Sequence, residues 1–220
     1  MSFRRTTASA ISQGLALSSM DELLKQISFR RRKNTLVYRR SCSRLIQTVE
    51  ICFDLSPRYQ PRAIAHVLPQ VCLECQELAP LIAEMTSSMP TAKAFSGRVA
   101  GMVLRQQVQN LAPREERLDW YLYEIDHAKE DLHPLKAFVA GWVIPFLEEY
   151  TSLESLLVGH ERGDWRLPND NRFQLYVAAS YALKGSPDAG MDVLNDRFQR
   201  AGLRKQYAQA FDYLASLIDT

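Results

Sequence analysis

The chain has 220 residues, 46% of them hydrophobic and 24% charged, and a formal net charge of +2. That balance speaks for a globular protein and against a wholly disordered chain, a collagen, a long coiled coil or an integral membrane protein, since no apolar run approaches the ~18 residues a spanning helix needs. The near-neutral total hides an asymmetry: residues 1–44 carry ten basic and two acidic side chains, a net of +8, which leaves −6 on residues 45–220.

Residues 1–20 hold no acid. Arg4 and Arg5 ahead of an apolar stretch resemble a targeting leader. Ser9, Ser12, Gln13 and Gly14 interrupt that stretch, so a loosely ordered tail over 1–18 is expected instead. Ser19 and Glu22 read as a capping box for a helix over 19–29 striped by Leu23, Leu24 and Ile27. Arg30 to Lys33 are expected to complement the C-terminal end of its dipole. A short strand follows over 35–40, then a turn at 41–43. The clearest strand is 45–55, where Leu45, Val49, Ile51, Phe53 and Leu55 alternate with Ile46, Thr48, Glu50, Cys52 and Asp54. A third strand is expected over 66–77, with Pro69 marking an edge or a bulge near its start, and a short helix over 79–85. Residues 95–111 fit a helical stripe through Val99, Met102, Val103 and Gln106, and also a strand through Val99, Gly101 and Val103. Residues 118–125 are a further candidate strand, rich in aromatics.

From Asp126 the pattern turns helical. A long helix is expected over 131–158, kinked or split at Pro145, then a polar loop over 159–171. Helices over 172–184, from Ser186-Pro187 to Ala201, and over 203–218 complete the chain. One helix, then strands, then helices implies an α+β fold: a small, mostly antiparallel sheet of about four or five strands packed against helices, with a helical C-terminal half. No linker stands out. A single domain over 19–220 is expected, with the first helix and the sheet in 19–125 and the helical part in 126–220.

Four cysteines are ordinary for this length and do not indicate a disulfide scaffold. Cys72 and Cys75 form a C-x-x-C, but on a strand residues i and i+3 point to opposite faces, so two unrelated thiols are expected, one buried and one not. No glycine-rich phosphate loop, nucleophile elbow or H-E-x-x-H occurs. Glu124/His127 and Glu130/His133 each have E-x-x-H spacing. The second pair is turned ~600° from the first at ~100° per helical residue, so a solvated acidic helix start is expected there. A metal-assisted site near 124–133 is the alternative from the enzyme class. A nucleic-acid surface over the basic segment 25–44 is another, and it is not favoured, because no aromatic side chains interleave with the basic ones. The helix hairpin around Gly185 resembles one tetratricopeptide unit, without the three repeats an array requires. The best binding candidate is the charged loop around Trp165, with Glu161, Asp164, Trp165 and Arg166 as the expected partner-binding residues. Arg162-Gly163-Asp164 within it is read as a chance tripeptide. No catalytic, cofactor or metal residue is assigned, and no cofactor is expected.

One resemblance rests on three stretches: Ser28 to Arg40 leading into the alternating strand through Phe53, Trp120 in a strand, and Val143 to Tyr150 ahead of a leucine-bearing helix. Over most of 19–200 the layout resembles a bacterial family named only as domain of unknown function 4304, together with immunity-like proteins of toxin systems. The resemblance implies a small sheet against helices and, in some relatives, a place beside toxin genes. It carries no site residues. The expectation is therefore a non-catalytic, cytoplasmic protein-binding module, and in particular an immunity protein that binds and neutralises a bacterial toxin or effector. The near-neutral charge argues against a strongly basic nuclease as that partner. No membrane partner is expected.

Overall fold

A computed structural model describes residues 20–33, 35–89, 92–124 and 126–219. The tail expected over 1–18 and the Ser19 cap lie outside these described residues. In chain order the elements are α1 (Met20–Gln26), β1 (Arg30–Arg31), β2 (Val37–Cys42), β3 (Leu45–Leu55), β4 (Ala65–Glu74), α2 (Leu78–Thr86), β5 (Met102–Gln107), β6 (Trp120–Leu122), α3 (Ala128–Asp131), α4 (His133–Phe138), α5 (Ile144–Glu149), α6 (Leu153–Glu161), α7 (Asn171–Leu183), α8 (Pro187–Arg197), α9 (Ala201–Gln206) and α10 (Ala208–Ile218). This is the α+β arrangement the pattern implies, with six strands ordered β1-β2-β3-β4-β5 and β6 also on β4. The described residues form two compact units. One holds residues up to Ser41 with Ile46–Cys72 and Arg105–Glu149; the other holds Cys42–Leu45, Leu73–Leu104 and the chain from Tyr150 onward.

In the first unit, α1 ends earlier than its stripe predicts. Ser28 takes a left-handed backbone (φ 68°). The Ser28 amide then bonds Lys25 O at 3.0 Å and the Phe29 amide bonds Leu24 O at 3.0 Å. This is a Schellman closure built on serine where glycine is usual. It frees Arg30 and Arg31, expected as helix-end cations, to form β1, with Arg30 opposite Arg39 and Arg31 opposite Tyr38. β2 turns into β3 through Ser43, also left-handed at φ 51°. β3 spans the residues its alternation predicts and buries Leu45, Val49 and Ile51. Gln47 interrupts that apolar face and is wholly buried. Its reason lies at the end of α5, whose last carbonyls have no helical partner. Gln47 Nε2 donates to Leu147 O at 2.7 Å, and Arg40 donates to Leu147 O and Ile27 O at 3.0 Å each and to Gln47 Oε1 at 2.5 Å. Pro69 falls within β4 rather than near its start, two residues past Val67, the last residue of β4 paired with β6.

The long helix expected over 131–158 is broken. Pro145 has no amide to offer Gly141, and its ring would clash with that carbonyl. The chain answers with a π turn over Val139–Val143 rather than a simple kink. A second break falls after Glu149, where Ser152 adopts an extended conformation and forms a capping box with Ser155 at the start of α6.

In the second unit, α7 is buried from Phe173 to Ser180 and anchors its neighbours. The Tyr176 hydroxyl lies 2.9 Å from Val99 O and 2.8 Å from Ala100 O, while Arg172 donates to Val99 O at 3.1 Å. Residues 95–111, open to two readings in sequence, form short 3-10 turns around β5. Gly185 (φ 78°) turns the chain into α8. Gly190 then lets α8 approach α7 so closely that a Cβ there would stand 2.7 Å from Ala178 O. Cys75 lies one residue past β4, and both Cys72 and Cys75 are buried, which corrects the expectation of one buried and one exposed thiol. The close approach of Gly101 explains the burial of Cys75: the Cys75 amide bonds Gly101 O at 2.7 Å. None of the four cysteines forms a disulfide. No helix among the described residues is long and apolar enough to cross a membrane.

Candidate functional site

The loop singled out by its tryptophan forms one wall of a cleft of about 810 Å³ within the second unit. Concave sites of this size are where ligands and partner side chains bind. The end of α6 gives His160 and Glu161, the loop gives Asp164, Trp165 and Asn169, α7 gives Phe173, Gln174 and Tyr181, and α8 gives Ala189, Asp192, Val193, Asp196 and Arg197. The last group follows from helical spacing. Residues 189, 192, 193 and 196 repeat at three and four positions and so share one face of α8.

The loop is held from behind. Asp164 has a side chain only 5% exposed. Its carboxylate accepts from the Tyr150 hydroxyl, from Arg162 Nη2 at 2.9 Å, from the Arg166 amide at 2.9 Å and from Arg166 Nη2 at 2.5 Å. Burial alone would raise its pKa, but the hydrogen bonds from Arg166, Tyr150 and Arg162 outweigh it and hold the carboxyl well below its usual range. Gly159 makes room for this brace, since a Cβ there would run into the Tyr150 ring. Arg166 also places its guanidinium 5.8 Å from the centre of that ring. With the loop fixed in this way, Trp165 is left 55% exposed at the rim.

Several of the other polar groups are paired, while Asp192 and Asp196 stand exposed on α8. His160 Nε2 lies 2.9 Å from Gln174 Oε1 and serves as donor there, and Gln174 Nε2 donates to Asn169 Oδ1 at 3.3 Å. Arg197 spends its guanidinium on neutral oxygens, Asn171 Oδ1 at 2.8 Å and Asn169 O at 2.9 Å. The Tyr181 hydroxyl donates to Glu161 Oε1 at 2.6 Å. Burial and that carboxylate push its pKa up to about 12. This is the reverse of the activation a nucleophile needs.

The expected partner-binding residues therefore divide. Glu161, Asp164 and Trp165 line the cleft, while Arg166 does not and instead holds Asp164 in place. Asp192, Asp196 and Tyr181 were not picked out in the sequence, because two aspartates four residues apart on an amphipathic helix read as a solvated face. Elsewhere, His127 Nδ1 lies 3.3 Å from Glu124 Oε2, with both side chains exposed. His133 is exposed at the start of α4. Among the described residues no three His, Cys, Asp or Glu side chains converge as a metal site. In the basic stretch Arg31 pairs with Asp21 at 3.4 Å and Arg44 with Glu77 at 3.0 Å.

No protein-family model matches the chain, and neither a curated protein nor a solved structure matches it.

Proposed function

We propose that the chain is a non-catalytic protein-binding module in which the α6–α7–α8 cleft seats a segment of a partner protein against Trp165. One observation carries this reading: a large aromatic side chain is held more than half exposed on the rim of a concave cleft by a loop that is already braced. An aromatic anchor on a preorganised loop gives up little conformational entropy on binding, so more of its contact energy appears as affinity. Pairing of His160 with Gln174 and of Tyr181 with Glu161 favours binding over chemistry. The resemblance to immunity-like proteins supports a bacterial toxin or effector as the partner, one that is not a strongly basic nuclease, neutralised by occlusion.

The test is direct binding of the purified full chain to the product of the gene adjacent to its own. Tight binding is expected, and Trp165→Ala is expected to weaken it at least about tenfold, the effect of an interface hot spot. Affinity unchanged in a folded Trp165→Ala variant would remove the cleft from the interface. Absence of any complex would remove the immunity reading.

A further inference from the structure

This inference rests on the cleft being the partner-binding site, and it names what enters. We propose that the cleft accepts the cationic side chain of a partner segment, an arginine or a lysine. Negative charge is left over in the cleft after internal pairing. Asp192 and Asp196 stand on the cleft face of α8, both solvent-exposed, and Glu161 faces the cleft from the end of α6 with one oxygen engaged by Tyr181. Two of the three arginines around the cleft are committed: Arg162 and Arg166 are bonded to Asp164 at 2.9 and 2.5 Å. The third, Arg197, lines the cleft and keeps its charge, because its guanidinium is bonded to the neutral oxygens of Asn169 and Asn171. Glu161, Asp192 and Asp196 therefore set three carboxylates against that one lining cation, and the cleft keeps a negative excess.

Shape and chemistry point the same way. Trp165 is more than half exposed at the rim, and indole is the best aromatic surface for a cation. Ala189, Val193 and Phe173 line the interior and suit the methylene stem of a long basic side chain. An anionic group would be repelled by Asp192 and Asp196, and a purely apolar one would strip water from them with nothing in return. A basic side chain meets all three features together: stem on the apolar lining, charge between carboxylates, and cation over the ring.

The test uses the full chain and acetyl-Gly-X-Gly-amide tripeptides with arginine, lysine, norleucine or glutamate at X, followed by the indole N–H resonance of Trp165, which Trp165→Phe assigns. The arginine and lysine peptides are expected to move that resonance in a saturable way, with norleucine at least tenfold weaker and glutamate silent. The Asp192→Asn/Asp196→Asn variant, isosteric and at exposed positions, is expected to lose at least tenfold in affinity for the basic peptides. Equal response to norleucine or glutamate overturns the proposal, as does an unchanged Trp165 resonance with every peptide, or full affinity in the double variant. A partner that still depends on Trp165 when the basic peptides fail would leave the binding-module reading standing and sink this inference alone. Basic peptides that bind while the partner ignores Trp165→Ala would do the reverse.

Discussion

Asp164 sits almost out of water and is nonetheless charged, because three side chains and a backbone amide donate to it. Replacing it by asparagine keeps the shape but removes the charge that holds two guanidiniums, one of them, Arg166, only 18% exposed. Removing one partner of a well-buried pair costs about 3–5 kcal/mol. Here Arg162 is half exposed and can recover water, so Asp164→Asn is expected to lose about 2–3 kcal/mol. The pH dependence follows from the lowered pKa. The brace contributes its full stability above the unfolded value of 3.8 and loses it as pH falls through and below that point. Thermal unfolding at about pH 6 and about pH 3 checks this: the gap between the native chain and Asp164→Asn narrows in acid. A gap that stays constant would show that the charge of Asp164 is not what matters. A tryptophan among charges marks this loop in the sequence, and Asp164, read there as partner-binding, lines the cleft and is also bonded within the loop. A short-range brace and an outward contact use the same residue types, and only coordinates tell them apart.

The cleft depends on how closely α7 and α8 pack, and one residue of α8 governs that distance. A Cβ at Gly190 would meet Ala178 O at 2.7 Å and Leu214 Cδ1 at 3.3 Å. The leucine can yield and the backbone carbonyl cannot. Alanine gains about 1 kcal/mol of helix propensity over glycine, but overpacking against backbone costs about 1–3 kcal/mol. Gly190→Ala is therefore expected to destabilise by about 1–2 kcal/mol on balance, and to weaken whatever the cleft binds, because α8 carries Asp192 and Asp196. Gly202 of α9 has open space around it, so Gly202→Ala is expected to hold or gain up to about 1 kcal/mol. Chemical denaturation of the two variants side by side measures the contrast, and equal effects would refute the close-approach argument. The elements themselves were legible to different degrees. β3 declared itself because one of its faces is dry and its period is two. The disturbance at Pro145 announced itself through the proline, whereas the break at Ser152 was harder, since the apolar stripe from Leu135 to Leu157 runs through it and hides it. The end of α1 was missed because a serine took the left-handed position that a glycine would have advertised.

At the scale of the whole chain, the two ends of the charge distribution make opposite predictions about partners. The excess of +8 on residues 1–44 invites a reading as a phosphate-binding surface. Within the described part of that stretch much of the charge is already used: Arg31 on Asp21, Arg44 on Glu77, and Arg40 on the oxygens of Ile27, Gln47 and Leu147. Arg39 is engaged as well. Each phosphate contact adds about 0.9 to the salt slope of duplex binding, so a steep slope needs several uncommitted cations. Lys25, Arg30, Arg32 and Lys33 are the exposed cations left over in the described stretch, so a slope of at most about 4 is expected here for duplex DNA. The carboxylates of Asp192 and Asp196, by contrast, stand exposed on the cleft and can steer a cation-bearing partner before contact. Steering acts on association, and salt screens it over about 10 Å at 0.1 M. Raising ionic strength from about 0.05 to about 0.5 M is therefore expected to slow association with the protein partner by roughly tenfold and to leave dissociation nearly unchanged. Stopped-flow or surface-based kinetics read both rates. An association rate indifferent to salt would show that the acidic lining does not guide the partner. A steep salt slope toward DNA or RNA would move the interface to the arginines of β1 and β2.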